Sequence, residues 1–168
     1  MGVVSQGRRA GTELTMVDAR KLSLSVQYAV DAANLPTRQQ FRRWIKAALR
    51  RDVQIVLRIV GLAEGRSLNR DFRGKHTATN VLTFVYDDTD LLSGDIVMCA
   101  PVVAKEARAQ RKELHAHYAH LTIHAALHLQ GFDHENEADA AAMESLETAL
   151  LAKLRYADPY RFQETPRK

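Results

Sequence analysis

Residues 79–103, TNVLTFVYDDTDLLSGDIVMCAPVV, decide the fold. They contain two runs rich in Val, Ile, Leu and Thr, at 79–86 and 95–103, separated by the Asp-rich, Gly-containing stretch DDTDLLSG. Runs of this kind bounded by turn residues read as strands. Two strands joined by so short a connection pair antiparallel, because a parallel pair needs a long crossover. The sheet is therefore expected to be mixed. Upstream, KLSLSVQYAV at 21–30 places Leu22, Leu24, Val26, Tyr28 and Val30 on one face, the period-2 signature of a half-buried strand. Asn34-Leu35-Pro36-Thr37 then supplies a helix start, and Phe41, Trp44, Ile45, Ala48 and Leu49 recur at helical spacing up to Arg50 and Arg51. QIVLRIVG at 54–61 reads as a second strand, and 63–71 as a short helix ended by Gly74. Downstream, 102–131 is helix-forming and free of proline, and its length requires a division near Lys112 and Glu113. A last helix is expected from about 136 to 154, with Ala142, Leu146, Ala149, Leu150 and Leu154 as its apolar stripe and Met143 and Leu146 in the core. The order β-α-β-α-β-β-α-α-α predicts an α/β (α+β) layer protein, a small mixed four-stranded sheet packed with about five to six helices.

The chain has 168 residues, 46% of them hydrophobic, enough for one domain with a sizeable core. No apolar run approaches the roughly 20 residues of a bilayer-spanning helix. The single cysteine, Cys99, excludes an internal disulfide and a Cys-based zinc site, and points to a reducing cytosol. MGVVSQGRRAGTELT lacks the apolar core of a signal peptide, and Gln6 stands where a myristoylation signal requires Ser or Thr. Three segments are expected: a flexible basic tail over 1–20, a single domain over 21–155, and a C-terminal tail over 156–168. The net charge of +4 conceals a division. Residues 1–76 hold 15 basic and 6 acidic side chains, and residues 77–168 hold 9 and 14. A basic front suggests an anionic partner such as nucleic acid; an unevenly charged solvated surface is the alternative.

The chemistry lies in the histidines. His120, His124 and His128 are each four residues apart, and His134 follows after Leu-Gln-Gly-Phe-Asp. On a helix, residues four apart share one face, so His124 and His128 can reach one ion. Gly131 permits the left-handed turn that ends a helix and brings His134 back toward the same point. Three imidazoles with a fourth position left to water form a catalytic zinc arrangement. His120 is either a partner that orients His124 or a plain stacked histidine. His115 and His117 read as solvated residues at the start of the helix. Asp133 either bonds the second nitrogen of a ligand imidazole or caps the turn. The spacing H-x-x-x-H-x-x-G-x-x-H is that of the metzincin proteases, but Ala125 occupies the place of their general-base Glu. That favours a hydrolysis in which the metal needs less help from a side chain.

The segments LNRDFRGKHTATNVLTF (68–84), SGDIVM (93–98) and AHYAHLTIHAALHLQGFDHENEADAAAMESLE (116–147) resemble, in order and spacing, the YbeY-type endoribonucleases, bacterial rRNA maturation factors. The resemblance covers roughly 21–154. This sequence departs from the family at Ala125, where Gly is common, at Phe132, where Tyr is common, and at Val85, where Pro usually follows the S/T-F pair. The resemblance implies a zinc-dependent, single-strand-specific endoribonuclease acting in 16S rRNA 3′-end maturation and late ribosome quality control. It further implies a metzincin-like site helix with one Zn2+ on His124, His128 and His134. Arg73, in F-R-G-K, is the implied substrate-facing arginine. A guanidinium fork suits the charge that a phosphodiester transition state gathers on its oxygens; a surface cation is the bland reading. Lys46, Arg66, Arg70 and Lys75 are candidates for phosphate contacts, and Asn80 and Thr83 for lining the site. The expected partners are single-stranded RNA, rRNA and ribosomal particles, with a small-subunit ribosomal protein and an assembly GTPase in addition, and no membrane; the expected location is the cytoplasm. Two alternatives stand beside this reading: a metalloprotease of metzincin-like geometry, and an RNA-binding ribosome assembly factor whose metal is structural.

Overall fold

In the computed structural model, which describes residues 20–73 and 79–161 without the side chains of 72 and 73, strands and helices alternate and then give way to helices. The order is β1 (Leu22–Tyr28), α1 (Arg38–Ala47), β2 (Val53–Val60), α2 (Leu62–Arg73), β3 (Val81–Asp88), β4 (Leu92–Cys99), α3 (Ala100–Ala109), α4 (Leu114–Leu129) and α5 (Glu137–Lys153). The sheet order is β1-β2-β4-β3. β1, β2 and β4 run parallel, and β3 lies antiparallel to β4 at the edge. The mixed sheet and the hairpin therefore match the expectation. The fourth strand does not end where expected. It spans Leu92–Cys99, and Ala100 to Val103 open α3. Pro101 explains the shift: it cannot donate to a strand ladder, but its fixed φ suits the first turn of a helix.

The two faces of the sheet are covered unequally. Ile55, Leu57 and Ile59 of β2 and Ile96 and Met98 of β4 are buried with Phe41 and Trp44 of α1 and Ile123 and Leu127 of α4. Phe41 meets Trp44 and Tyr118 edge-on, at 5.6 and 6.1 Å between ring centroids. On the other face a smaller cluster gathers Val60, Leu82, Val97 and Cys99 under Leu68 of α2 and Val102 of α3. α1 starts where the sequence signals it. Thr37 Oγ1 accepts from Gln40 N at 3.2 Å, and the Gln40 side chain accepts from Thr37 N at 2.8 Å, a capping box.

α4 is the central helix. Residues 117–119, 121–123, 125–127 and 129 are all buried, the pattern of a helix enclosed by the core. The stripe expected on α5 is corrected by about one residue. Met143, Glu147 and Leu151 face inward, Ala142 and Ala149 are exposed, and Leu146, Leu150 and Leu154 flank the core. Alanine tolerates either environment, so the alanines could not fix the phase of that helix.

At Gly94 of β4 the neighbouring strand and α4 both come close to the backbone. A Cβ placed there would lie 2.5 Å from the Phe84 carbonyl oxygen and 2.9 Å from Leu129 Cδ2. One of these is backbone and cannot rotate away. Gly94→Ala is expected to destabilise the fold by about 1–3 kcal/mol, read as a fall of several degrees in Tm. An unchanged Tm would show that the hairpin yields freely at this point.

Candidate active site

α4 is buried except for one stripe. After its first turn, the positions that reach solvent are His120, His124 and His128, one turn apart on one face. They form one wall of a cavity of about 750 Å³, whose opposite wall is the edge strand β3 with Asn80, Thr83 and Phe84. His134 and Tyr160 close it further. Among the described residues, none that lines it carries a carboxylate.

The turn after α4 brings in the third imidazole. Gly131 adopts φ +104°, and an added Cβ would meet nothing within 4 Å, so glycine is needed there for its backbone conformation alone. Phe132 N donates to Leu127 O and Gly131 N to His128 O, both at 3.1 Å, a Schellman ending. The chain then reverses, and Asn136 caps α5 by accepting from Asp139 N at 2.8 Å. The His134 ring centroid lies 5.4 Å from that of His124 and 6.0 Å from that of His128. The three histidines singled out by spacing thus stand together.

The Nδ1 atoms of His124 and His128 are held by acceptors. His128 Nδ1 donates to the Phe132 carbonyl at 3.1 Å, and His124 Nδ1 donates to Glu147 Oε2 at 2.5 Å. A carbonyl and an ionised carboxylate can only accept, so both rings carry their proton on Nδ1 and keep the Nε2 lone pair free. Glu147 is fully buried. Burial opposes its charge, but hydrogen bonds from His120, His124 and Tyr160 outweigh that and hold the carboxyl at about 2. His120 Nε2 lies 2.9 Å from Glu147 Oε1 and 3.1 Å from the Tyr160 hydroxyl. Burial lowers the pKa of His120 despite that carboxylate. His120 therefore bears on His124 through the shared Glu147 and through an edge-on ring contact at 6.4 Å between centroids. Asp133 takes no part in this; its Oδ1 accepts from His134 N at 2.7 Å and shapes the turn.

The three imidazoles suit a zinc ion in donor type, and those of His124 and His128 in tautomer as well. Their spacing is slightly wider than the roughly 5 Å between centroids that 2.0–2.1 Å bonds to a tetrahedral ion imply. Among the described residues, no three His, Cys, Asp or Glu side chains already stand at metal-holding distances.

The remaining candidates divide. Asn80 and Thr83 do line the cavity. Asn80 is fixed there: Nδ2 donates to both oxygens of Glu106, at 3.1 and 3.2 Å, while Oδ1 accepts from Val81 N at 2.6 Å. Glu106 also bonds His117 Nε2 at 2.9 Å. His117 is buried, not a solvated residue, because its position on α4 faces α3 rather than water. His115 is half-buried. Lys46, Arg66 and Arg70 are exposed, and Arg70 leans toward Asp71 at 3.4 Å. Arg73 is the last residue of α2; its side chain, Lys75 and the 1–20 tail beyond Arg20 lie outside the described residues. Two site residues escaped the sequence reading, Glu147 and Tyr160. Glu147 had a signal: it sits midway between Met143 and Leu151 at i, i+4 spacing, a charge on an apolar stripe. Tyr160 had none, since it lies in what reads as a tail.

No helix among the described residues is long and apolar enough to cross a membrane. The sequence matches the protein family described as Endoribonuclease YbeY over residues 25–155. It is 58% identical over 144 residues to the endoribonuclease YbeY of Nitrosomonas europaea, covering 86% of this chain and 88% of that one. To the protein of the same name from Nitrosomonas eutropha it is 57% identical, covering 84% of this chain and all of that one. In three dimensions it is similar to the solution structure of a Thermotoga maritima protein, with a TM-score of 0.51 and 23% identity over 86% of this chain and 99% of that one.

Proposed function

The chain belongs to the endoribonuclease YbeY family, and from that premise we propose that it is a zinc-dependent hydrolase that cuts single-stranded RNA and acts in the cytoplasm on the 3′ end of 16S rRNA and in late ribosome quality control. The observation that carries the reading is the stripe of α4 histidines on the cavity wall, two of them with Nδ1 tied to acceptors and Nε2 left free. His124, His128 and His134 are the residues to hold the ion. Zinc bound there supplies a Lewis acid for a phosphoryl oxygen and brings the pKa of water toward about 7.

The chain's own groups do the rest. Glu147 and the Phe132 carbonyl fix the two α4 imidazoles in the ligating tautomer. β3 and α4 leave a channel between them for an extended strand of RNA, and the absence of a lining carboxylate among the described residues suits a polyanion. Ala125 lines the same cavity where a protease needs its general base, which weighs against the metalloprotease. Arg73 is the cation to face the scissile phosphate. RNA, rRNA and ribosomal particles are the proposed partners, together with a small-subunit ribosomal protein and an assembly GTPase. The buried free thiol of Cys99 is compatible with a reducing compartment.

Incubating the protein with single-stranded RNA and with unfolded protein, each with and without a chelator, tests the reaction class. Cleavage of RNA alone, lost with chelator and restored by zinc, is expected. Proteolysis without RNA cleavage overturns the proposal. Arg73→Glu is expected to keep zinc in full and to lower RNA cleavage by about 100-fold or more, since a positive charge at the reacting phosphate becomes a negative one. Parental cleavage by that variant removes Arg73 from the site.

A further inference from the structure

The C-terminal segment beyond the family match is built into the site. α5 ends in a second Schellman turn, with Tyr156 N donating to Leu151 O at 2.8 Å and Arg155 N to Ala152 O at 3.0 Å. Arg155 takes φ +72° there, the left-handed conformation that usually calls for glycine. A strained residue at a turn persists only when its surroundings demand it, and here they do. Tyr156 packs its ring against Trp44 at 6.2 Å, and Pro159 is buried. Asp158 Oδ1 then accepts from Tyr160 N at 2.9 Å and sets the next side chain. Residues 156–161, which the sequence offers as the start of a loose tail, are folded back over α4 and α5.

What this strap delivers is one hydroxyl. Tyr160 donates to Glu147 Oε1, its ring stands edge-on to His120 at 5.2 Å, and it lines the cavity. Glu147 thereby divides its oxygens: Oε1 takes Tyr160 and His120, and Oε2 takes His124 Nδ1. We propose that Tyr160 is a positioning residue, which pins Oε1 so that Oε2 stays on His124 and holds that imidazole with Nε2 toward the ion site. Without the hydroxyl, the buried carboxylate keeps two of its three donors, and His120 Nε2 alone holds Oε1. This inference rests on the zinc reading above for its effect on the reaction, but the hydrogen-bonded chain Tyr160–Glu147–His124 can be examined without metal.

The test uses the full chain with Tyr160→Phe, which keeps the ring and its packing and removes only the hydroxyl. Zinc affinity is measured by competition with a chromophoric chelator. Cleavage of single-stranded RNA is resolved into kcat and KM. The imidazole Nδ1 proton of His124 is observed by NMR in the zinc-free protein. Expected are a loss of zinc affinity of about tenfold, at the low end for a group one bond removed from a ligand's partner, a comparable fall in kcat with KM unchanged, and an upfield shift or broadening of the His124 proton. A variant that matches its parent in zinc affinity and in the His124 signal overturns the proposal and leaves Tyr160 as packing alone. Tyr160→Ala, which also removes the ring, separates packing through its Tm. If the parent neither binds zinc nor cleaves RNA, the functional reading fails while the His124 signal still decides the role of Tyr160.

Discussion

His128→Ala is expected to abolish zinc retention and to lower RNA cleavage by more than about 100-fold, a larger loss than removing a group that only orients a ligand. Its side chain is the most exposed of the three α4 histidines, at the last turn of the helix. Its one protein hydrogen bond, to the Phe132 carbonyl, is on an exposed side of the turn, and that carbonyl can turn to water. No apolar burial depends on it. The zinc-free variant should therefore keep its parent's Tm to within the small change usual for surface substitutions, about 0.5 kcal/mol or less. Metal content of the purified protein, cleavage of single-stranded RNA and Tm together decide the matter. A variant that carries one zinc per chain and cleaves like its parent sinks the three-histidine site.

Glu147→Gln is expected to weaken zinc binding by about 10–100-fold, the effect of losing an outer partner of a ligating histidine, and unlike His128→Ala it should also destabilise the metal-free fold. The carboxylate accepts from three donors in a site without water access: His120 Nε2, His124 Nδ1 and the Tyr160 hydroxyl. An amide of the same size has one oxygen to offer and must turn its NH2 toward at least one of those donors. A buried donor left facing another donor costs about 1–3 kcal/mol. Chemical denaturation of the zinc-free protein reads that term, and chelator competition reads the other. Parental stability together with parental zinc affinity would remove Glu147 from the support of the site.

What the sequence revealed and what it hid follow from the range of each signal. The β3–β4 hairpin, the helix start at Thr37 and the left-handed turn at Gly131 are written within a few residues, and each is present, with only the ends of the hairpin strands displaced. The convergence of His124, His128 and His134 is equally local, because one helix and one turn produce it. Their supports are not local. Glu147 reaches His124 from 23 residues away, and Tyr160 reaches His120 from 40 residues away. No spacing rule links such pairs, and at α5 the ambiguous alanines shifted the apparent apolar face by a residue. His117 is buried rather than solvated for a related reason. Beside a neighbouring histidine it looks solvated, and only the placement of α3 supplies Glu106 as its buried partner.

The enclosure of α4 by the rest of the molecule bears on the order in which the chain can fold. All four strands have been synthesised by Cys99, yet the helix that covers their larger apolar face begins only at Leu114 and runs to Leu129. Until then Ile55, Leu57, Ile59, Ile96 and Met98 have only α1 and the start of α3, with Val103, as helical cover. A stable sheet must therefore wait for most of the polypeptide to emerge, because long-range contacts repay the cost of loop closure only after their partners exist. The histidine stripe lies on that late-arriving helix, so the histidine wall of the cavity is completed in the same step that closes the interior. A nascent or partly unfolded chain would then carry no working site.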